Sequence, residues 1–365
     1  MKRIITYMFA VFIMDVNFIY GNINYNSTDT VSKDVSVAVN ANCKGKKNSN
    51  DAVVVGHQKF PYKFKFKGNP LSRIHGAGDP DVQVWDGVVY VYTSQDRNVD
   101  PTKHKAHYDA MDGYHVFSSK DMVNWIDHGE IFHSSDVKWS WDKGGFLWAP
   151  GSARKNGKYY LYFPIKNKAG QWCIGVAVGD SPFGPFKDSG APIAGLTDID
   201  PKVFIDDDGE AYIYNSPAVV AKLKPNMIEL AEPARKIQYA SEEIMSNDTL
   251  GFDEAPYMHK KDGKYYYSYS NYHNRTYQGF YAIGDNPYGP FKWKGALAPR
   301  PEGAQDHHSI VEFKGQWYYF YHIAVDEFPK YKESQGRITC FDKLYYNPDG
   351  TIQMVKHTYK IPFLK

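Results

Sequence analysis

The chain has little from which to build a disulfide framework, a membrane span or a polyanion-binding face. Its 365 residues hold three cysteines, an odd count, and Cys43, Cys173 and Cys340 show no metal-type spacing, so they read as buried or unpaired thiols. Lysine and arginine (43) nearly balance aspartate and glutamate (41), leaving a formal charge of +2. With acids and bases evenly mixed, nothing points to a nucleic-acid or membrane-surface partner. There is no glycine-rich phosphate loop, which removes the usual ground for a phosphoryl-transfer or dinucleotide reading. The apolar run Ile4–Met14 is too short to span a bilayer. Preceded by Met1-Lys2-Arg3, it reads as a secretory signal ending near Gly21. The expectation is export, to the periplasm or the extracellular space, with no membrane-spanning segment after signal removal. Residues 22–68 start as an Asn-, Ser-, Lys- and Asp-rich stretch without a period and are expected to be a partly disordered leader.

What the chain has in excess is tyrosine, 30 residues in all. That suits a β-rich fold with half-buried faces and supplies flat surfaces on which sugar rings stack. The tyrosines fall in a repeat. A turn glycine followed by an alternating aromatic strand occurs at Gly87, Gly157, Gly209, Gly263 and Gly315, with spacings of 70, 52, 54 and 52 residues. Periods near fifty built from short strands indicate a propeller, and five units make an all-β, five-bladed β-propeller over residues 69–365. A second echo, Ser181-Pro182-Phe183-Gly184-Pro185-Phe186-Lys187 against Asn286-Pro287-Tyr288-Gly289-Pro290-Phe291-Lys292, supports the blade count from blades two and four. Phe60–Phe66 alternates and is expected to add an edge strand to the last blade, and Thr351–Val355 to help close the ring. Asp206-Asp207-Asp208-Gly209 falls where the repeat needs a turn and lacks the other ligands of a calcium loop.

The first strand of each propeller blade lines the central channel, so residues of equal rank before each glycine should converge on the axis. Eight or nine places back stand Asp79, Trp148, Asp200, Glu254 and His307. Three carboxylates, an imidazole and an indole in one register form a candidate active site, because buried carboxylates are uncommon unless paired or functional. Two carboxylates facing a pocket can divide the work of glycosidic cleavage, one holding a proton and the other staying ionised, while a third raises the donor's pKa.

Taken in order, Gly78-Asp79-Pro80-Asp81-Val82, Leu147-Trp148-Ala149-Pro150, Ile199-Asp200-Pro201-Lys202-Val203, Phe252-Asp253-Glu254-Ala255-Pro256-Tyr257 and His307-His308-Ser309-Ile310-Val311 resemble glycoside hydrolase family 43. The resemblance implies an inverting hydrolase of arabinose- and xylose-containing plant cell-wall glycans. It assigns Asp79 as general base, Glu254 as general acid and Asp200 as the group that tunes and orients the acid. Trp148 would wall the sugar pocket and Arg337 would reach the bound sugar. His307 would mark the channel centre, where a structural calcium is an option although no cofactor is required for hydrolysis. Ala255 stands where the family usually has glycine after the acid, and Asp306 where it usually has glycine or asparagine before the central histidine; both bear on substrate preference. The chain ends soon after the fifth blade, without the added β-sandwich of larger β-xylosidases, which favours an exo-acting α-L-arabinofuranosidase. The alternatives are β-xylosidase, exo-β-galactosidase, endo-arabinanase and, in another class, a non-catalytic carbohydrate-binding propeller. The expected partner is a plant-derived oligo- or polysaccharide, bound by a monomer, in a pocket bordered by the loops Gln95–Met111 and Asp136–Phe146.

Overall fold

The structure, a computed structural model, describes residues 61–65, 69, 71, 76–96, 102, 107–241, 247–273, 276–299, 307–324 and 337–359. The expected signal (1–21) and most of the leader, with Cys43, lie outside the described residues.

Each repeat glycine closes a hairpin at positive φ, between 72° and 81° at Gly87, Gly157, Gly209, Gly263 and Gly315, a conformation glycine enters without a Cβ penalty. Behind each turn, alternating apolar residues put one face of every strand against a neighbour. Blade one holds β2 (Ala77–Trp85), β3 (Val88–Gln95), β4 (Gly113–Ser119) and β5 (Asn124–His133), with β1 (Tyr62–Lys65) as its outermost strand. Blade two is β6 (Gly151–Lys155), β7 (Lys158–Lys166), β8 (Trp172–Gly179) and β9 (Phe186–Asp188), and blade three is β10 (Lys202–Ile205), β11 (Ala211–Asn215), β12 (Val219–Lys222) and β13 (Arg235–Lys236). In blade four come β14 (Glu254–Lys261), β15 (Lys264–His273), β16 (Thr276–Gly284) and β17 (Lys292–Ala296), and in blade five β18 (Ser309–Phe313), β19 (Gln316–Ala324) and β20 (Arg337–Leu344). The innermost strands adjoin in the order β2, β6, β10, β14, β18 and back to β2. The fold is therefore the expected five-bladed β-propeller.

Five apolar clusters fill the five gaps between blades. One is Val82, Val89, Phe117 and Trp125 against Phe313 and Phe320, across the seam between blades five and one; the other four fill the remaining gaps. Tyrosine suits these gaps because its ring is apolar and its hydroxyl can reach a partner at the far side. Tyr92, Tyr162 and Tyr214, each five residues after its hairpin glycine, are fully buried. They donate to the next blade's carbonyls at Pro182 (2.5 Å), Met227 (2.8 Å) and Pro287 (2.8 Å). One rank in the repeat is thus one fastener between blades.

Two expectations about the edges change. Tyr62–Lys65 pairs with Asn124–Asp127 of blade one, not with the last blade, so a propeller strand lies inside the stretch read as leader. The seam to blade five is held instead by residues 69–71: the Asn69 side chain bonds Phe341 N and O (2.7 and 2.9 Å), and Leu71 N donates to Thr339 O (2.7 Å). Thr351–Val355 runs to blade four, where Val355 N donates to Leu297 O (2.7 Å) and Ile352 N to the Tyr281 hydroxyl (2.9 Å). Asp206–Gly209 is the expected turn, with the Asp206 carboxyl taken by Lys260 and Tyr265, both at 2.5 Å. Cys173 and Cys340 are buried and free.

Candidate active site

Three innermost strands are kinked where they enter the channel. Asp79, Asp200 and Ala255 have φ of 51°, 58° and 58°, and each is followed by proline, which cannot donate to the ladder. The pairing opens at these points: register shifts lie between Gly78 and Asp81 in β2 and between Glu254 and Tyr257 in β14. Such bulges re-aim side chains, and left-handed non-glycine residues cost free energy that recurs at functional sites. The result is that Asp79, Asp200 and Glu254, from three different blades, turn inward toward one imidazole. His307 Nδ1 lies 3.6 Å from Asp79 Oδ1, and its Nε2 lies 3.3 Å from Glu254 Oε1. Asp200, Glu254 and His307 each offer one ligand atom within 4.8 Å of the others.

The carboxyls have different surroundings. Burial pushes Asp79 upward, but the Arg337 guanidinium, His307, His322 and the Ser94 hydroxyl outweigh it and hold the acid well below the usual carboxylate range. Arg337 Nη1 donates to Asp79 Oδ1 at 2.6 Å and Ser94 Oγ to Oδ2 at 2.6 Å. Gly78 makes room for this: a Cβ there would stand 2.4 Å from Arg337 Cζ. Asp200 is the opposite case. Burial raises it to about 6, with the Glu254 charge adding and the His307 charge and the Ala255 N–H opposing. Its Oδ2 accepts from Ala255 N (3.0 Å) and Ser216 Oγ (3.3 Å). Of the two acids, the Glu254 side chain, 20% exposed, is the one that can reach a ligand. Burial opposes a charge on His307, but Asp200, Asp79 and Glu254 together raise it to about 9, so it is an imidazolium at neutral pH.

The sequence pattern of glycosyl hydrolases family 43 matches residues 68–352. The chain belongs to that family. It is 37% identical to a xylosidase/arabinosidase of Bacteroides ovatus over 75% of this chain and 93% of that one, and 39% identical to xylosidase/arabinosidase 43A of Humicola insolens over 77% and 97%. Among solved structures it resembles a β-xylosidase/α-arabinofuranosidase from a compost microbial metagenome, in complex with xylotriose and calcium-free (TM-score 0.70, 36% identity, 80% of this chain and 98% of that one). A family 43 enzyme of Xanthomonas citri complexed with xylose is similar at TM-score 0.70 and 36% identity, over 79% and 93%. The protein is accordingly a glycosyl hydrolase.

Within this family 43 chain the remaining expected residues fall as follows. Trp148 is half-buried, its Nε1 donating to Tyr108 O (2.8 Å) and its ring 4.5 Å from that of Trp172. Its carbonyl accepts from Tyr114 OH (2.7 Å), a phenol that feels the charges of both Asp79 and Asp200. Residues of the two expected border loops do meet here, Tyr108 from one and Phe146 from the other. Arg337 is found on Asp79 and on Asp96 (Nη2 to Oδ1, 2.8 Å). Asp81 is taken by Lys202 (3.0 Å) and Ser152 (2.5 Å), an ion pair buried between blades.

A resident calcium does not fit the trio of Asp200, Glu254 and His307. Calcium takes roughly six to eight oxygens. Here one of the three ligand atoms is an imidazole nitrogen, so the trio supplies only two carboxylate oxygens, and Asp200 Oδ2 already has two donors.

Ser94, Ser216 and His322 were not singled out by the first register, yet each stands seven residues after a hairpin glycine. Ser94 binds Asp79, Ser216 binds Asp200, and His322 Nδ1 accepts the Asp79 N–H (2.9 Å). A second register, read forward from the glycines, would have found them. Tyr277, a buried phenol that feels the Glu254 charge, carries no such rank.

Proposed function

We propose that the protein is an exo-acting, inverting glycosidase that removes terminal β-D-xylosyl and α-L-arabinofuranosyl units from xylan- and arabinoxylan-derived oligosaccharides. The observation that carries the mechanism is His307 between Asp79 and Glu254. The two carboxyls contact opposite nitrogens of one ring, at 3.6 and 3.3 Å. They thus face each other across one imidazole instead of touching, as an inverting pair, with carboxyls roughly 6.5–9.5 Å apart, requires. Asp79, kept ionised by Arg337, accepts a proton from that water as its oxygen bonds the anomeric carbon. Glu254 gives its proton to the glycosidic oxygen as the bond to the leaving sugar breaks. Asp200, held by Ala255 and Ser216, sets the charge that Glu254 feels. Trp148 forms a wall against the sugar ring.

The names of the relatives in Bacteroides ovatus and Humicola insolens support carrying both pentosyl activities to this chain, which widens the arabinofuranosidase expected from the sequence. The calcium-free relative with xylotriose supports substrate binding without that ion. Export rests on the basic and apolar start of the chain. The test is a screen of 4-nitrophenyl α-L-arabinofuranoside, β-D-xyloside and β-D-galactoside beside xylotriose, arabinoxylan oligosaccharides and linear arabinan, with the first product followed by proton NMR. Release of α-xylose from xylotriose is expected. Release of β-xylose, or activity on the galactoside or internal arabinan bonds alone, would overturn the reading.

A further inference from the structure

The acid protonates the oxygen that leaves, so the departing sugar must lie on the Glu254 side of the pocket. The facing residues Tyr272 of β15 and Tyr277 of β16 lie next to that acid's strand. Tyr277 lies within the field of Glu254: burial, followed by the Glu254 charge, pushes its phenol well up, so it stays a donor. Directly opposite Tyr277 in the ladder is Tyr272, with ring centroids 4.7 Å apart and planes at 45°. Tyr272 is also tied to the acid's own strand, because its N–H donates to Asp253 Oδ2 at 2.6 Å. Yet the Tyr272 side chain is 49% exposed, one of few large apolar side chains so placed among the described residues.

A ring held at its backbone and along one side, with the remainder open to water beside a proton donor, suits a sugar. A pyranose presents axial C–H bonds on its faces, and these pack against aromatic rings. We propose that Tyr272 is the platform of the leaving-group site, stacking on the second xylosyl ring of a β-1,4-linked xylo-oligosaccharide, while Tyr277 holds the Glu254 carboxyl in line with the bond above it. This deepens the functional reading and rests on it. Tyr272 then determines specificity for what departs, whereas Trp148 faces the unit that is cleaved off.

The experiment compares wild type, Tyr272→Ala and Tyr272→Phe in steady-state hydrolysis of xylobiose and xylotriose, with inhibition by free xylose as a measure of the terminal-sugar pocket. Loss of one stacking ring should raise KM for both oligosaccharides about 3- to 10-fold in Tyr272→Ala. Tyr272→Phe keeps the ring and should stay within about twofold of wild type, and the xylose inhibition constant should be the same in all three. Equal KM values in wild type and Tyr272→Ala overturn the proposal, as does a parallel rise in KM and in the xylose constant, which marks a general structural effect. A wild type that cleaves neither xylosides nor arabinofuranosides overturns the functional reading first and this inference with it.

Discussion

Arg337 Nη1 stands 2.6 Å from Asp79 Oδ1 while its Nη2 stands 2.8 Å from Asp96 Oδ1, so a single guanidinium joins the last strand of blade five to the first hairpin of blade one. The contact serves chemistry and stability together. Asp79 is held below its unfolded value, so its contribution to stability is complete above about pH 4 and is lost as pH falls toward the depressed folded value. Arg337→Met should remove that contribution and leave two buried carboxylates without their cation, a loss of about 3–5 kcal/mol. The acidic limb of kcat/KM should also move to higher pH. Calorimetry and a pH–rate profile check the two halves, and an unmoved acidic limb would show that Arg337 does not govern the Asp79 charge.

His307 supplies the complementary pH dependence. Its folded pKa of about 9 exceeds the ordinary 6.5, so the stability it contributes is fully present below pH 6.5 and disappears as pH rises through about 9. Wild type should lose Tm across that window. His307→Gln, lower in Tm at pH 6, should show a flatter profile. Parallel profiles for the two proteins would place the titration elsewhere.

Asp79 is also fixed through its backbone, whose left-handed φ of 51° keeps the carboxylate in the channel. The fully buried His322 accepts that N–H at 2.9 Å through Nδ1, and burial, with the Arg337 charge behind it, keeps the ring neutral. His322→Leu strands the N–H at a cost of about 1–3 kcal/mol. His322→Asn can place an amide oxygen where Nδ1 was. Both variants should be less stable, but the asparagine form should retain about tenfold more kcat than the leucine form, since misplacement of a reacting group by about 1 Å costs on the order of 10²-fold. Equal kcat values would reduce His322 to a packing residue.

The propeller and its inner ring were legible because the repeat converts rank in the chain into position about an axis. Asp79, Asp200, Glu254 and His307 could be aligned by their glycines without any knowledge of contacts. Arg337 was visible as a residue but not as a partner, for its contact with Asp79 spans 258 positions and joins blade five to blade one. The destination of Tyr62–Lys65 was hidden for a related reason: an edge strand can pair with either blade at the seam, and alternation alone does not choose. Tyr277 and Tyr272 sit at the far end of β15 and β16, where hairpin length varies between blades and no common rank exists.

The proposed acid, Glu254, is to be told from the other two carboxylates by the leaving group. Glu254→Gln keeps the shape but removes the proton, so a natural xylosyl or arabinofuranosyl linkage, whose alcohol leaves poorly, should slow about 10²–10⁴-fold. An aryl glycoside, whose phenolate leaves with little protonation, should slow much less. Asp200→Asn should behave differently, because Asp200 contacts Ala255 N and Ser216 within the protein and in the proposed mechanism acts on the substrate only through Glu254. Both substrate classes should fall by similar factors, and the pH profile should lose the influence of a carboxyl that titrates near 6. Single-turnover rates on xylotriose and on 4-nitrophenyl β-D-xyloside measure the chemical step directly. If Glu254→Gln slows both equally, the proton comes from another group, and with it the division of roles among the three carboxylates would have to be redrawn around the same His307.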